Sequence, residues 1–256
     1  ADWAPVKEGR VRGSYQRAVR AANIIELFTQ TGYNLWDGGD PCGASKSATL
    51  AQCLTTGLKA SQYGSAALDS PAGQFNQLVG GNATLKPETA KTYTVGGVLQ
   101  PSSNFSATLD YWHYNVQAVI GTVASQQALT NCINSGVNCD LIHRELSPNG
   151  NLWLPNQGYI SAQNQNLGSF KTDGIDLTAS YTMPIEDYGS LGFTFQGTWV
   201  KEFLVEPIPG LGSYDCVGLF GPSCGVPVPK WRHKAQAIWT TPWNVSAALT
   251  WRYIDS

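Results

Sequence analysis

Hydrophobic and polar residues alternate with a period of two in seven separate segments of the chain, and helical periodicity is scarce. In the last segment Val245, Leu249 and Trp251 fall on one face, whereas Ser246 and Thr250 fall on the other. A period of two is typical of β-strands that have one apolar and one polar face. The sequence therefore predicts strands over Arg10–Val19, Thr89–Gln100, Phe105–Ile120, Gly174–Thr182, Leu191–Trp199, Lys230–Thr241 and Val245–Ile254.

The connections between these predicted strands alternate in length along the chain. The long ones are residues 22–88, 121–166 and 206–229, and the short ones are 101–104, 184–190 and 242–244. Alternate connections of an up-and-down sheet lie at the same end, so the long loops gather at one end and the short turns at the other. This segregation indicates an all-β, antiparallel transmembrane barrel, which has long extracellular loops and short periplasmic turns.

The positions of aromatic residues along the last two predicted strands also indicate a sheet that spans a membrane. Trp239 and Trp243 flank a short turn, and Trp251 and Tyr253 lie about eight residues along the last predicted strand. Eight residues of a tilted strand rise roughly 20 Å, close to the roughly 25 Å apolar band between the two aromatic girdles of a membrane barrel. The alternative is that these tryptophans fill the core of a soluble β-protein.

Composition argues against several classes of protein: ordinary soluble domains, disordered chains and nucleic-acid-binding proteins. The 256 residues carry 13% charged residues and a formal charge of −2, and the remainder is rich in glycine and aromatic residues. The charged fraction is about half the roughly 25% of ordinary soluble domains, and disordered chains have few aromatic residues. Near-zero charge argues against a nucleic-acid partner. No signal peptide is recognisable in Ala1–Pro5.

Six cysteines occur as three close pairs, each in a loop rich in glycine, serine, asparagine or proline. Six cysteines allow fifteen connectivities, and their clustering favours the local pairs as disulfides. A metal site is disfavoured because there is no Cys-x-x-Cys motif and the histidines are scattered, whereas buried free thiols are an open alternative. The predicted pairs are Cys42/Cys53, Cys132/Cys139 and Cys216/Cys224.

The long loops also contain segments with helical composition. Ser47–Leu58 and Ser125–Ile133 carry alanine, leucine and glutamine without proline, and the sequence Asn134–Gly136 is a plausible helix stop. A small hairpin is predicted within His143–Leu154, around the turn Pro148–Gly150.

Several segments resemble the TonB-dependent receptors of bacterial outer membranes. Leu85–Pro101, LKPETAKTYTVGGVLQP, is similar to a pattern that repeats in these barrels, with Pro-Glu followed by Tyr-x-x-Gly. Arg10–Phe28, RVRGSYQRAVRAANIIELF, resembles the preceding strand. Three later segments match in the expected order: FSATLDYWHYNV, SFKTDGIDLTASY and WNVSAALTWRYI.

The resemblance implies that residues 1–256 are part of a barrel domain, about seven strands of a 22-stranded wall in the outer membrane. Family members also have a plug domain inside the barrel and a short segment that contacts TonB. Neither is recognisable in this sequence, and the terminal aromatic strand is also missing, so we expect a section of a longer receptor. The implied partners are outer-membrane lipid, TonB through the absent plug region, and a small-molecule or oligosaccharide ligand.

Catalytic motifs are missing from the sequence. It contains no Gly-x-Ser-x-Gly, His-Glu-x-x-His, P-loop or dinucleotide fingerprint. We therefore expect neither an enzyme nor a cofactor. Aromatic rings in the loops can stack on sugars or flat chelates, and the predicted ligand contacts are Trp36, Trp153 and Tyr214.

Two other functions compete with energy-coupled uptake of a siderophore, cobalamin or oligosaccharide. One is a secreted, disulfide-stapled β-sandwich that acts as a binding module, which predicts a charged outer face and apolar stripes packed against each other. The other is a surface protein that uses the barrel only as an anchor. The low charge content disfavours the sandwich.

Overall fold

The computed structural model describes residues 1–145, 149–155, 157–221 and 224–255. The strands in chain order are β1 Asp2–Val6, β2 Gly9–Arg20, β3 Gly32–Asp37, β4 Gln74–Val79, β5 Glu88–Ser102, β6 Phe105–Gln117, β7 Ile120–Gly121, β8 Ile142–His143, β9 Tyr159–Ser161, β10 Gln165–Asn166, β11 Ser169–Ile185, β12 Gly189–Glu206, β13 Tyr214–Asp215, β14 Trp231–Thr240 and β15 Ser246–Ile254. The α-helices are α1 Ile24–Phe28, α2 Leu50–Thr55 and α3 Ser125–Ser135. Pro148, the first residue of the predicted hairpin turn, lies outside the described residues.

The chain forms two compact units. The sheet unit comprises Ala1–Val19, Thr89–Gln117 and Gly168–Ser256, and the loop unit comprises Arg20–Glu88 and Ala118–Leu167. The loop unit is thus made from two of the three long connections predicted from the sequence.

The sheet unit contains one antiparallel sheet in the order β1-β2-β5-β6-β11-β12-β14-β15, and the short β13 pairs with β12. Apart from the short β13, strands that follow one another within this unit are neighbours in the sheet, as the predicted up-and-down arrangement requires. All seven predicted strands are present. The prediction of seven was nevertheless one short on this path, because β1 has only five residues and contains Pro5, which weakens its strand signal.

The two faces of the sheet differ as the alternation predicts. On the apolar face large side chains are exposed, with exposed fractions of 53% for Leu109 and 75% for Leu249. The polar face carries hydrogen bonds between side chains of different strands. Ser14 bonds to Thr94 at 2.6 Å and Ser106 to Ser180 at 2.7 Å across neighbouring strands, and Arg12 Nη2 of β2 reaches over β5 to donate to Asp110 Oδ2 of β6 at 2.6 Å. A sandwich would bury the apolar face, so this exposure disfavours the soluble alternative.

The loop unit has a hydrophobic core of its own. Leu68, Leu129, Leu152 and Ile160 are fully buried. Its small sheet has the order β3-β4-β9-β8, with an antiparallel β3-β4 pair and a parallel β4-β9 pair. The sequence predicted only loop and helix over residues 22–88, so β3 and β4 were missed.

All three predicted disulfides are present. Cys42–Cys53 and Cys132–Cys139 lie in the loop unit, and Cys216–Cys224 lies in the sheet unit. Short sequence separations allowed the pairing to be predicted without knowledge of the fold.

Both predicted helical segments form helices, with shifted bounds. The first begins after Thr49, whose side chain accepts the backbone N–H of Gln52, and is shorter than predicted. The second, α3, ends at Gly136, which has a left-handed φ of 68°, as the predicted stop requires. No helix of the described residues is long and apolar enough to cross a membrane.

One arginine links separate segments of the loop unit. Arg20 donates to the carboxylates of Glu88 at 2.6 Å and Glu26 at 3.1 Å, and Glu88 also accepts the backbone N–H of Ile120. Glu26 closes a capping box with Asn23 at the start of α1. The hydrogen bond from Arg20 lowers the pKa of Glu26 below its usual value, and the Asn23 backbone N–H acts in the same direction.

Candidate functional site

One face of the small sheet in the loop unit is part of its core. Trp36 on β3 stacks on Phe75 of β4 with ring centroids 5.0 Å apart, and Ile160 of β9 is fully buried beside them. The indole N–H of Trp36 donates to the backbone oxygen of Asn76 at 3.2 Å. Only 9% of Trp36 is exposed, so the ring holds the loop unit together.

The opposite face of the same sheet carries a row of three rings, of which Tyr33 and His143 are exposed and Tyr159 is half-buried. Tyr33 of β3 contacts Tyr159 of β9 edge-on at 5.5 Å, and His143 of β8 stacks on Tyr159 at 4.6 Å. Half of Tyr33 and half of its neighbour Leu35 are exposed. Because strand side chains alternate between faces, the burial of Trp36 directs Tyr33 and Leu35 to solvent. We call Tyr33, Tyr159 and His143 the ring row.

The residue that follows His143 in the chain, Arg144, forms a buried ion pair with Asp40. The Arg144 guanidinium donates to the two Asp40 oxygens at 2.6 and 3.1 Å, and its side chain is 2% exposed. Its remaining donors reach Thr56 Oγ1 at 2.8 Å and the Gly150 carbonyl at 3.0 Å. This bidentate pair fixes the backbone that presents the His143 ring.

An open groove of about 770 Å³ adjoins the ring row. Its lining combines rings with groups that can form hydrogen bonds, namely the Glu145 carboxylate and the Gln157 amide. A flat or ring-shaped ligand with hydroxyl or amine groups matches this combination, since rings provide stacking and the carboxylate accepts hydrogen bonds. The lining residues are Thr56, Gly57, Ile142, His143, Arg144, Glu145, Gln157 and Tyr159.

Of the predicted ligand contacts, Trp153 also takes part in the packing of the loop unit. Its indole N–H donates to the Ala67 carbonyl at 3.0 Å, and the residue is half-buried. Trp36 and Trp153 therefore each have an internal contact for their polar atom. The ring row was not predicted, because no local sequence pattern distinguishes an exposed loop tyrosine from a buried loop tryptophan.

Tyr214, the third predicted contact, belongs to the sheet unit. It pairs with Val205 of β12, which in turn pairs with Phe170 of β11, so these side chains share the polar face. The Tyr214 hydroxyl is buried and has no hydrogen-bond partner among the described residues. A buried hydroxyl without a partner is costly, so this atom is suited to hold water or a ligand group.

The polar face becomes aromatic near the long connections. Trp112 contacts Tyr114 at 5.4 Å, and Phe170 contacts Phe203 at 6.0 Å. Trp112 and Tyr114 have the same parity as Asp110, whose carboxylate lies on the polar face. Their position on an otherwise polar face is a signal that the sequence contained and our prediction did not use.

Two aspartates of β11, Asp176 and Asp173, lie on opposite faces of the sheet. Asp176 lines a groove on the polar face with Arg232 and Lys234. Asp173 contacts Tyr111 and Lys201, which belong to the apolar face. In the part of the chain that the structure describes, no three histidine, cysteine, aspartate or glutamate side chains are placed to hold a metal ion.

Comparisons with known proteins give one matching family and a similar fold in solved receptor structures. The family model "TonB dependent receptor-like, beta-barrel" matches residues 1–256. The ferric enterobactin receptor of Pseudomonas aeruginosa is similar in fold at 13% identity and a TM-score of 0.56, over 99% of this chain and 26% of that receptor. The hemophore receptor HasR of Serratia marcescens, in complex with its hemophore HasA and heme, gives 14% identity and a TM-score of 0.50, over 99% and 31%. The chain thus spans about a quarter to a third of these receptors, and no curated protein matches it.

Proposed function

The chain belongs to the TonB-dependent receptor-like β-barrel family, and we propose that it forms part of the wall and outer loops of an outer-membrane receptor for energy-coupled uptake. In this proposal residues 1–256 are a section of the barrel domain. The plug and the segment that contacts TonB belong to the rest of the receptor. The family consists of transporters and receptors, not enzymes.

The exposed apolar face carries this proposal. Its large side chains lie at alternate positions on neighbouring strands, such as Leu109, Tyr111 and Tyr93, each more than 40% exposed. Hydrocarbon satisfies such a surface and water does not. The hydrogen-bonded polar face then lines the wet interior of the barrel.

The ring row and its groove favour capture of a ligand by the loop unit. The neighbouring structures include the ferric enterobactin receptor of Pseudomonas aeruginosa with enterobactin bound, which is a property of that protein. For this chain we propose a ligand with flat or ring-shaped groups, drawn from siderophores, cobalamin or oligosaccharides. Stacking on Tyr159 and hydrogen bonds to Glu145 are the proposed contacts.

The three aromatic residues predicted from the sequence remain proposed ligand contacts, and their surroundings in the structure differ. Tyr214 is retained because its hydroxyl lacks a partner among the described residues. Trp36 and Trp153 remain predicted ligand contacts, and their burial and internal hydrogen bonds give each of them a packing role as well.

Replacing Tyr159 by alanine tests ligand capture in the complete receptor on living cells. Uptake of a labelled ferric catecholate siderophore, cyanocobalamin and a labelled oligosaccharide is measured first, with and without TonB. For the ligand that is taken up, Tyr159→Ala should weaken binding about tenfold, because a central aromatic anchor is removed. Phe28→Ala is the matched control, since Phe28 is an exposed ring of the same unit outside the ring row.

Three outcomes contradict the proposal. Uptake that persists without TonB would exclude energy coupling, and binding without uptake would favour a surface protein that uses the barrel as an anchor. Equal binding by the Tyr159→Ala and wild-type receptors would remove the ring row from the site.

A further inference from the structure

The apolar face of the sheet unit becomes aromatic near the strand ends that lead to the long connections. Three rings lie side by side across β2, β5 and β6: Tyr15 and Tyr93 have centroids 5.0 Å apart, and Tyr93 and His113 have centroids 5.9 Å apart. Aromatic rings at such a level are typical of the girdle where hydrocarbon meets the headgroup layer.

The next outward row of the same face carries cations. Lys91 pairs with Asn115, and Asn115 pairs with Lys171, two residues beyond the ring contacts on their strands. The Ser14–Thr94 hydrogen bond and the Tyr15–Tyr93 contact fix the register of β2 on β5 and place Arg17 beside Lys91. We call Arg17, Lys91 and Asn115 the basic row.

The two other lysines on this face differ from the basic row because each of them has an acidic partner. Lys171 donates to Glu202 at 2.8 Å, and Lys201, the extra residue of a bulge in β12, donates to Asp173 at 3.2 Å. Those two lysines are neutralised by their own partners. Arg17 and Lys91 are exposed, and the ion pairs among the described residues do not include them.

Depth places the basic row at the edge of the membrane. Phe105 opens β6 beside a short turn, and Asn115 lies ten residues further along the strand. Ten residues of a strand tilted by about 40° rise roughly 26 Å, about the full height of the apolar band. Long cationic side chains at this depth reach the headgroups while their stems stay on apolar surface.

We propose that the basic row binds the phosphate of an outer-leaflet lipid headgroup, whose apolar part lies on the ring contacts below. Two cations and an amide match a phosphate that carries negative charge and several acceptor oxygens. The proposal commits to a lipid because the row continues an exposed apolar face. It rests on the proposed function, since it requires that this face contacts the membrane.

Native mass spectrometry of the complete receptor in detergent measures the binding of defined lipids to the basic row. Diphosphorylated lipid A should bind the wild type more tightly than its dephosphorylated form. The variant Arg17→Gln/Lys91→Gln should bind it about thirtyfold more weakly, because each cation near a lipid surface contributes about fivefold. The charge-preserving variant Arg17→Lys/Lys91→Arg should bind within about threefold of the wild type.

A matched control removes the same charge from the other face. Lys234 and Arg252 line a groove on the polar face, and Lys234→Gln/Arg252→Gln should leave lipid binding unchanged. Equal lipid binding by the Arg17→Gln/Lys91→Gln variant and the wild type would overturn the proposal. Equal losses in both double variants, or displacement of the lipid by millimolar inorganic phosphate, would also overturn it.

Failure of this inference differs from failure of the proposed function. A receptor that takes up its ligand and migrates as a heat-sensitive folded barrel in gels, yet binds both forms of lipid A equally, would refute only the lipid site. A protein that does not fold in detergent or lipid would refute the membrane wall itself.

Discussion

Replacing Asp40 by asparagine will destabilise the loop unit by about 3 to 5 kcal/mol, because it leaves the Arg144 guanidinium buried without a counter-charge. Both side chains are almost completely inaccessible, at 0% for Asp40 and 2% for Arg144. Asparagine keeps the size of the side chain, so the loss measures charge rather than a cavity. Thr56 and the Gly150 carbonyl continue to hold Arg144 but do not neutralise it.

Amide hydrogen exchange in the complete receptor measures this loss. Protection of slowly exchanging amides in the loop unit should fall by about two to four orders of magnitude. Asp2→Asn is the control, since the side chains of Asp2 and Arg10 form a pair in which each is at least half exposed, and its loss should change protection by less than about fivefold. The double variant Asp40→Leu/Arg144→Met should recover part of the stability. Unchanged protection in Asp40→Asn would show that the pair does not stabilise the unit.

Removal of the Cys42–Cys53 disulfide by Cys42→Ser/Cys53→Ser will destabilise the loop unit by about 3 kcal/mol. The bond closes a loop with a sequence separation of 11, and the chain-entropy relation gives about this value for such a loop. Both cysteines are fully buried, so the serine hydroxyls add a cost of desolvation.

Limited proteolysis of the complete receptor under oxidising conditions follows this change. Cleavage within residues 20–88 should accelerate in the variant, and the reduced wild type, which also loses the Cys132–Cys139 bond of the same unit, should be cleaved at least as fast. The matched control, Cys216→Ser/Cys224→Ser, removes a disulfide of the sheet unit and should leave cleavage of the loop unit unchanged. If both double variants accelerate that cleavage equally, the effect does not arise from the local loop closure.

The wall strands could be predicted from the sequence because each of their faces meets a different environment. Strand β12, for example, alternates phenylalanine and tryptophan with threonine and glutamine over Leu191–Trp199. Strands β1 and β3 were missed for physical reasons. β1 is short and contains Pro5, and β3 has apolar residues on both faces, with Trp36 in a core and Leu35 exposed.

The ring row was not among the aromatic residues predicted from the sequence as ligand contacts, and those three residues stay predictions. Aromatic residues in the long loops were predicted as ligand contacts, and the structure brings Tyr33, Tyr159 and His143 together as the ring row. Which rings are exposed depends on the parallel pairing of β4 with β9, more than 80 residues away in the chain. No local sequence pattern encodes such a pairing. Disulfides were predictable because their partners are close in sequence.

The proposed membrane wall requires that adjacent side chains on each wall strand face hydrocarbon and water in turn. Leu109 and Thr108 are consecutive residues of β6, on its apolar and polar faces respectively. The free energy of unfolding of the complete receptor from phospholipid vesicles should fall by about 2 to 4 kcal/mol for Leu109→Arg, because the charge enters the apolar band. For Thr108→Arg it should fall by less than about 1 kcal/mol. Equal losses for the two variants, or a larger loss for Thr108→Arg, would contradict the assignment of the faces and the membrane wall that depends on it.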